Sequence, residues 1–369
     1  MRLFRYLVLL LLPCSSPAQY HIYGSVTDQT NNIGLQGATV FIDGSSYATL
    51  TDSGGHFEFP NLPVKMVQII VAKTGFTTGI YRADVKTENL KIVFQLNPED
   101  EQADNIPQDS LTRAIQTWSE VFLSSFMGTS VNSYNCYITN PKVLRFRFID
   151  SLGALSVTAT EPLQILNESL GYMLFYYLNG IYIRNREIVY NSSYHFFKEM
   201  KSKQPAIVAR WNVNRSNNFK GSLLHFMRAF YSFKLDEEGF RVRSVNRIYE
   251  GEAGFHKAAN TAGSSTGKVI IMDSSGLPTL RMFAEFVERT PLPAESYTQT
   301  LEKETWLIQP RSGFQVTYLK PGQPLVSFLG IKGGKLFVEA NGLYFDSQDV
   351  VKGGYWKSLG VADALPCNY

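Results

Sequence analysis

Apolar and polar residues alternate with a period of two in short runs between residues 22 and 96 of this 369-residue chain. Ala38, Val40 and Ile42 fall on one face of one run, and Phe57 and Phe59 on one face of the next, the pattern of half-buried strands. Between them Asp52-Ser53-Gly54-Gly55 supplies a turn, because Asp bonds its own backbone and glycine accepts positive φ without steric cost. Further glycines, with Pro60 and Pro63 bracketing another turn, punctuate about seven short strands and predict a β-sandwich over residues 19–97.

The pattern changes after that. Residues 98–110 are acidic, contain proline and read as a linker. Leu111, Ile115, Trp118, Phe122 and Phe126 then recur at helical spacing, with Asp109 or Ser110 as cap and Gly128 near the end. Strands follow at 136–139, 143–148, 155–158, 163–165, 172–178, 181–183 and 188–190. Both faces of 172–178 are apolar, so that strand should be central and covered on both sides. Gly221-Ser222 caps a second helix carrying Leu223, Met227 and Phe230 on one face, with Gly239 as its terminator and strand alternation resuming at Phe240.

This makes residues 111–255 an α+β region. Residues 256–369 read as a β-rich segment, with strands at 269–272, 306–308, 314–319, 325–329, 335–339 and 343–345. Tight turns fall at Gly333-Gly334 and Asn341-Gly342, and a short helix near 361–365 closes the segment. The fold class predicted is mainly β.

The glycines and turns of the first segment also carry a resemblance. Gly24-x-Val26-x-Asp28, Leu35-x-Gly37-Ala38-x-Val40, Thr51-Asp52-x-x-Gly55-x-Phe57, Leu62-Pro63 and Lys73-x-Gly75-Phe76 resemble the carboxypeptidase-like regulatory domain. That resemblance implies a transthyretin-like sandwich, a fold attached to metallocarboxypeptidases and to the N-terminus of Gram-negative envelope proteins. The middle segment, through Gly128-x-Ser130-x-Asn132-x-x-x-Cys136, Asn167-x-x-Leu170-Gly171-Tyr172, Arg210-Trp211, Arg215 and Gly221-Ser222-Leu223-x-His225-Phe226, resembles a region that follows this domain in bacterial envelope proteins. It implies no activity.

Composition narrows the location. Residues 1–18 have the form of a secretory signal: Arg2 and Arg5, an apolar run from Tyr6 to Leu12, and Ser16-Pro17-Ala18 before Gln19. Lipoprotein processing at Cys14 is a competing reading. No later run reaches the length of a membrane-spanning helix. Loss of Arg2 and Arg5 with the leader takes the formal charge from +3 to about +1, which is no footprint for nucleic acid. The expected place is the periplasm, the outer membrane surface or the exterior. In such a compartment Cys136 and Cys367 could pair, or remain a buried and an exposed free thiol.

Several residues could carry chemistry. None of the five histidines begins an H-x-x-E, so the zinc ligands of a carboxypeptidase are missing; no metal or cofactor is expected. His195 and Glu199 have helical spacing but read better as a surface contact. Gly263-Ser264-Ser265-Thr266-Gly267 satisfies G-x-S-x-G, yet a strand follows it where a nucleophile elbow needs a helix, so Ser265 is an unfavoured nucleophile. Cys136, with His195 or His225 as base, is another.

Asp28 and Asp52 read as turn-stabilising side chains rather than calcium ligands. The aromatics Tyr172 and Tyr182, and Trp211 within the basic run Lys198 to Lys220, are candidate ligand contacts. The alternative is core burial for the tyrosines, and a solvated connection with Trp211 tucked beneath it. Taken together the residues predict an exported, non-enzymatic envelope protein with a binding or adaptor sandwich and a protein or glycan partner. Glycan binding through exposed aromatics and hydrolysis through Ser265 or Cys136 are the alternatives.

Overall fold

A computed structural model describes residues 20–63, 66–84, 89–99, 108–260, 263–272, 278–301, 304–309, 312–319, 322–345 and 347–369. The leader, Cys14 and most of the acidic linker lie outside these. Seven strands build the sandwich: β1 (Tyr20–Asp28), β2 (Thr39–Ile42), β3 (Ala48–Leu50), β4 (His56–Leu62), β5 (Met66–Ala72), β6 (Gly79–Asp84) and β7 (Asn89–Leu96). They form two sheets, β4-β1-β7 and β3-β2-β5-β6, with β1 antiparallel to β4 and parallel to β7.

The alternating apolar residues meet between the sheets: Ile22, Val26, Val40, Ile42, Phe57, Phe59, Ile69, Val71 and Phe94 are all buried there. Pro60 sits inside β4, which pairs on one side only, so its missing N–H costs no ladder bond. Asp52 holds its turn as expected, accepting from the backbone N–H groups of Gly54 and His56 at 2.9 and 2.8 Å. Asp28 likewise holds a turn, accepting from the Thr30 backbone N–H at 2.8 Å and from the Asn31 side-chain amide at 3.0 Å.

Helix α1 (Gln108–Phe126) starts the second region and covers one face of a six-stranded sheet. That sheet comprises β8 (Cys136–Ile138), β9 (Leu144–Ile149), β10 (Ala154–Ala159), β11 (Leu163–Asn167), β12 (Tyr172–Arg184) and β13 (Glu187–Glu199). Its order is β8-β11-β12-β10-β9, with β13 along the other edge of β12. Phe122 and Phe126 pack with Leu163, Ile165, Leu174, Tyr176 and Leu178 on that face. On the opposite face Phe175, Tyr177, Tyr194 and Phe196 pack against Phe41 and Ile70 of the sandwich. The central strand is therefore buried on one face and partly covered on the other, where Phe175 and Tyr177 are half-buried.

Two departures mark this region. Residues 172–183 form one strand, with an irregular register between Leu178 and Gly180, where the sequence suggests two. The basic run is also no loose connection, because α2 (Pro205–Phe219) occupies it. His195 and Glu199 lie on strand β13, so their helical pairing does not occur.

Helix α3 (Leu223–Tyr231) begins where expected, with the Ser222 hydroxyl accepting from the His225 N–H at 3.1 Å. It ends at Tyr231, and Gly239 instead turns the chain into β14 (Phe240–Tyr249) at φ +84°. After α4 (Phe255–Ala259) come β15 (Ser265–Met272), β16 (Pro278–Pro291), β17 (Thr298–Leu301), β18 (Glu304–Ile308), β19 (Gly313–Tyr318), β20 (Leu325–Ile331), β21 (Lys335–Val338), β22 (Tyr344–Phe345) and β23 (Val350–Gly354). They make sheets β15-β16-β14-β19-β20-β23 and β17-β18-β21-β22.

Since β14 pairs with β16 and β19, a boundary drawn at residue 255 cuts through one sheet. The Gly333-Gly334 turn links strands of different sheets, whereas Asn341-Gly342 closes a pair, β21 with β22. The closing helix is shorter and earlier than expected: α5 (Tyr355–Ser358), then a single turn over Val361–Asp363. From there the chain threads back through the molecule. Trp356 is buried in the third core, Val361 and Ala362 in the second, and Cys367 in the first.

Candidate functional site

The aromatics singled out from sequence are not a stacking platform. Tyr172 is 3% exposed and lies beneath the Arg215 guanidinium, 4.1 Å from its ring centre. Burial pushes its hydroxyl up to about 12. Trp211 is 6% exposed, and its indole N–H donates to the Glu168 carbonyl at 2.9 Å. Tyr182 is half-buried beside Leu152, Ala154 and Leu280. A sugar ring cannot stack on side chains whose faces are already covered, so Tyr172 and Trp211 are withdrawn as contacts.

What these residues do instead is lock α2 onto the sheet. Arg215 is buried and donates to the carbonyls of Leu170 (2.7 Å) and Gly171 (3.2 Å) and to the Glu199 carboxylate (2.6 Å). Asn214 donates to the Ser169 carbonyl at 2.8 Å. Trp211, Asn214, Arg215 and Asn218 recur at helical spacing of three and four, so a mostly polar stripe of the helix faces inward while Val208 and Val213 are exposed.

The candidate nucleophiles are poorly placed for reaction. Cys136 is buried in the second core, and burial with the nearby Asp363 pushes its thiol up to about 12, where no thiolate forms at neutral pH. Cys367 is also buried, in the first core, and likewise pushed up to about 12, so neither the exposed thiol nor the disulfide is found. Ser265 begins strand β15, on the outer edge of its sheet, which gives it no nucleophile elbow.

Asp43, His195 and Ser347 do approach one another. The Ser347 hydroxyl donates to Asp43 Oδ2 at 2.6 Å, and His195 Nδ1 lies 3.7 Å from Asp43 Oδ1. The order is wrong for nucleophilic catalysis, because the hydroxyl bonds the acid instead of the imidazole. Burial holds the His195 imidazole below its usual range, against the raising influence of Asp43.

This cluster is a joint. Gly44 N–H donates to the His195 carbonyl at 2.8 Å, Phe197 N–H to the Ser45 carbonyl at 2.8 Å, and Cys367 N–H to the Gly44 carbonyl at 2.8 Å. The β2–β3 turn of the sandwich is thus bonded by its backbone to β13 and to residue 367. Between the two regions it fixes, a cleft of about 840 Å³ remains open.

One wall of the cleft is the sandwich, with Thr39, Thr49, Thr74 and Phe76; the other is the outer face of the second sheet, with Gln164, Phe175 and Tyr177. The Phe175 ring lies parallel to Phe196 at 4.8 Å, and Tyr177 stacks on Phe41 at 4.9 Å. Sequence reasoning did not set Phe175 and Tyr177 apart because every residue from Tyr172 to Leu178 is large. Strand parity was the signal available, since Phe175 and Tyr177 project from the face opposite to Tyr172, Leu174 and Tyr176.

No curated protein matches the sequence. Among solved structures, a cohesin–X-dockerin complex from Acetivibrio cellulolyticus is 14% identical over 31% of this chain and 80% of that one, with a TM-score of 0.21. A Bacteroides uniformis protein, whose carbohydrate binding is itself inferred, is 8% identical over 50% and 80% of the two chains, with a TM-score of 0.20. The major pilin subunit of Bacillus cereus is 8% identical over 91% and 84%, with a TM-score of 0.18. The family model of the CarboxypepD_reg-like domain matches residues 22–106, and the sandwich at the N-terminal end of this chain is a CarboxypepD_reg-like domain.

Proposed function

We propose that this chain is an exported, non-catalytic cell-envelope protein in which the CarboxypepD_reg-like sandwich is an adaptor and the cleft beside it receives the ligand. The observation that carries this reading is the cleft: a concave space of ordinary ligand size, walled by two regions that backbone hydrogen bonds hold in fixed relation. Pre-set walls reduce the ordering cost of binding, which suits recognition. The buried state of Cys136 and the strand setting of Ser265 favour a role without covalent chemistry.

Export rests on the form of residues 1–18, and partners in the envelope follow from it. The test places a photo-crosslinking amino acid at Ala48, an exposed cleft position, in intact cells. The expected result is capture of one defined envelope component, lost on Thr49→Arg. Capture of nothing above background would sink the reading.

A further inference from the structure

The cleft does not end at its own rim. In the second sheet, cross-strand partners share a face, and the pairs Tyr137↔Leu166, Leu166↔Met173 and Met173↔Lys198 set one row of side chains beside the cleft row Gln164–Phe175–Phe196. Tyr137 is 47% exposed, and Leu166 and Met173 are half-buried, so a shallow apolar strip leads outward from Phe175 over the strands β12, β11 and β8. From strand spacing and residue rise, Tyr137 and Phe175 stand roughly 12 Å apart.

The chemistry of the walls selects among ligands. The cleft mixes polar and aromatic groups: Thr49 and Thr74 line the sandwich wall, the Thr39 hydroxyl hydrogen-bonds Tyr177, and the Gln164 amide stands beside Phe175 on the other wall. A sugar ring has that same duality, hydroxyls around its edge and C–H groups on its face. The charged residues at the cleft, Lys73 and Lys198 against Glu99, Glu161 and Glu199, nearly cancel. Two of them are already engaged: Lys73 donates to the Gln36 carbonyl at 2.8 Å and Glu199 accepts from Arg215. Such a lining offers no concentrated field to a polyanion.

We infer that the cleft and its outer strip bind an uncharged oligosaccharide several rings long, one ring against Phe175 and a later one over Tyr137. This rests on the reading of the cleft as the ligand site. The full chain is titrated with di- to octasaccharides of neutral, N-acetylated and uronic-acid types, and with an extended peptide library. Neutral or N-acetylated chains should bind, with affinity rising with length.

Tyr137→Ala, at an exposed position that leaves the core intact, should weaken hexasaccharide binding about tenfold, the effect of one lost stacking contact. It should leave disaccharide binding unchanged, while Ala48→Arg removes both. Preference for uronic-acid chains or peptide, or an equal Tyr137→Ala loss at all lengths, would overturn the inference. Capture of a protein by the crosslinker with no saccharide bound at any length would overturn it too, yet leave the adaptor reading intact.

Discussion

A Cβ built on Gly171 would sit 2.3 Å from the indole of Trp211. The glycine is also at φ +70°, a conformation that costs an L side chain about 1 kcal/mol or more. The α2 helix can lie against the turn before β12 only because that position has no side chain. Gly171→Ala should therefore lower stability by about 2–4 kcal/mol, strain and overpacking together. Gly251→Ala, at φ +90° with open space around it, should cost only the strain. Urea denaturation of the two variants separates the terms.

Arg215 predicts a different signature. Its guanidinium serves two carbonyls and a carboxylate in one plane over the Tyr172 ring, a geometry that an ammonium cannot copy. Arg215→Lys should cost about 1–3 kcal/mol, close to Arg215→Met, because buried acceptors are left unpaired in both. The Glu199 side chain is 62% exposed, so Glu199→Gln should cost under about 1 kcal/mol. Equal losses for Glu199→Gln and Arg215→Met in thermal unfolding would contradict this division.

Both described cysteines should be silent in the native protein. Their thiols are pushed up to about 12 by burial in two different cores. At pH 8 a thiol reagent should modify Cys136 and Cys367 no faster than the protein unfolds, and both should react in denaturant without prior reduction. Rapid modification of either in the folded state would show an opening that the packing does not provide.

Asp363 supplies a pH dependence. Its Oδ1 accepts from Ser130 (2.7 Å) and Asn132 (2.8 Å), while Oδ2 is buried without a partner among the described residues. Burial raises its carboxyl above the ordinary value of 3.8, with the two hydrogen bonds opposing. The folded state then binds this proton more tightly than the unfolded state does. Its contribution to stability is present at low pH and is lost as pH rises from the unfolded value through the raised folded one. Asp363→Asn should remove that slope and stabilise the protein at neutral pH relative to wild type. Unfolding free energies measured between pH 3 and 7 would show parallel curves if the carboxyl were fully satisfied.

The first seven strands were legible because alternation and turn chemistry agree at every step, as at Asp52-Ser53-Gly54-Gly55. Strand β12 holds Asn179-Gly180 within it, and tertiary pairing to β13 carries the strand across that point as an irregularity in register. Helix α2 was missed because its buried stripe is Trp211, Asn214, Arg215 and Asn218, which hydrophobic periodicity does not register, although Pro205 at its first turn is a start signal. The site was the least legible part. A strand apolar on both faces does not reveal which face the rest of the chain will cover, and here the buried face took Tyr172 while the face beside the cleft took Phe175 and Tyr177.

Residues 356–367 give the molecule a sense of time. Trp356, Val361, Ala362 and Cys367 between them contribute to three different hydrophobic interiors, so none of the three is complete until this late stretch of chain is in place. The cleft shares that schedule, since the Cys367 amide bonds the very turn that joins its two walls.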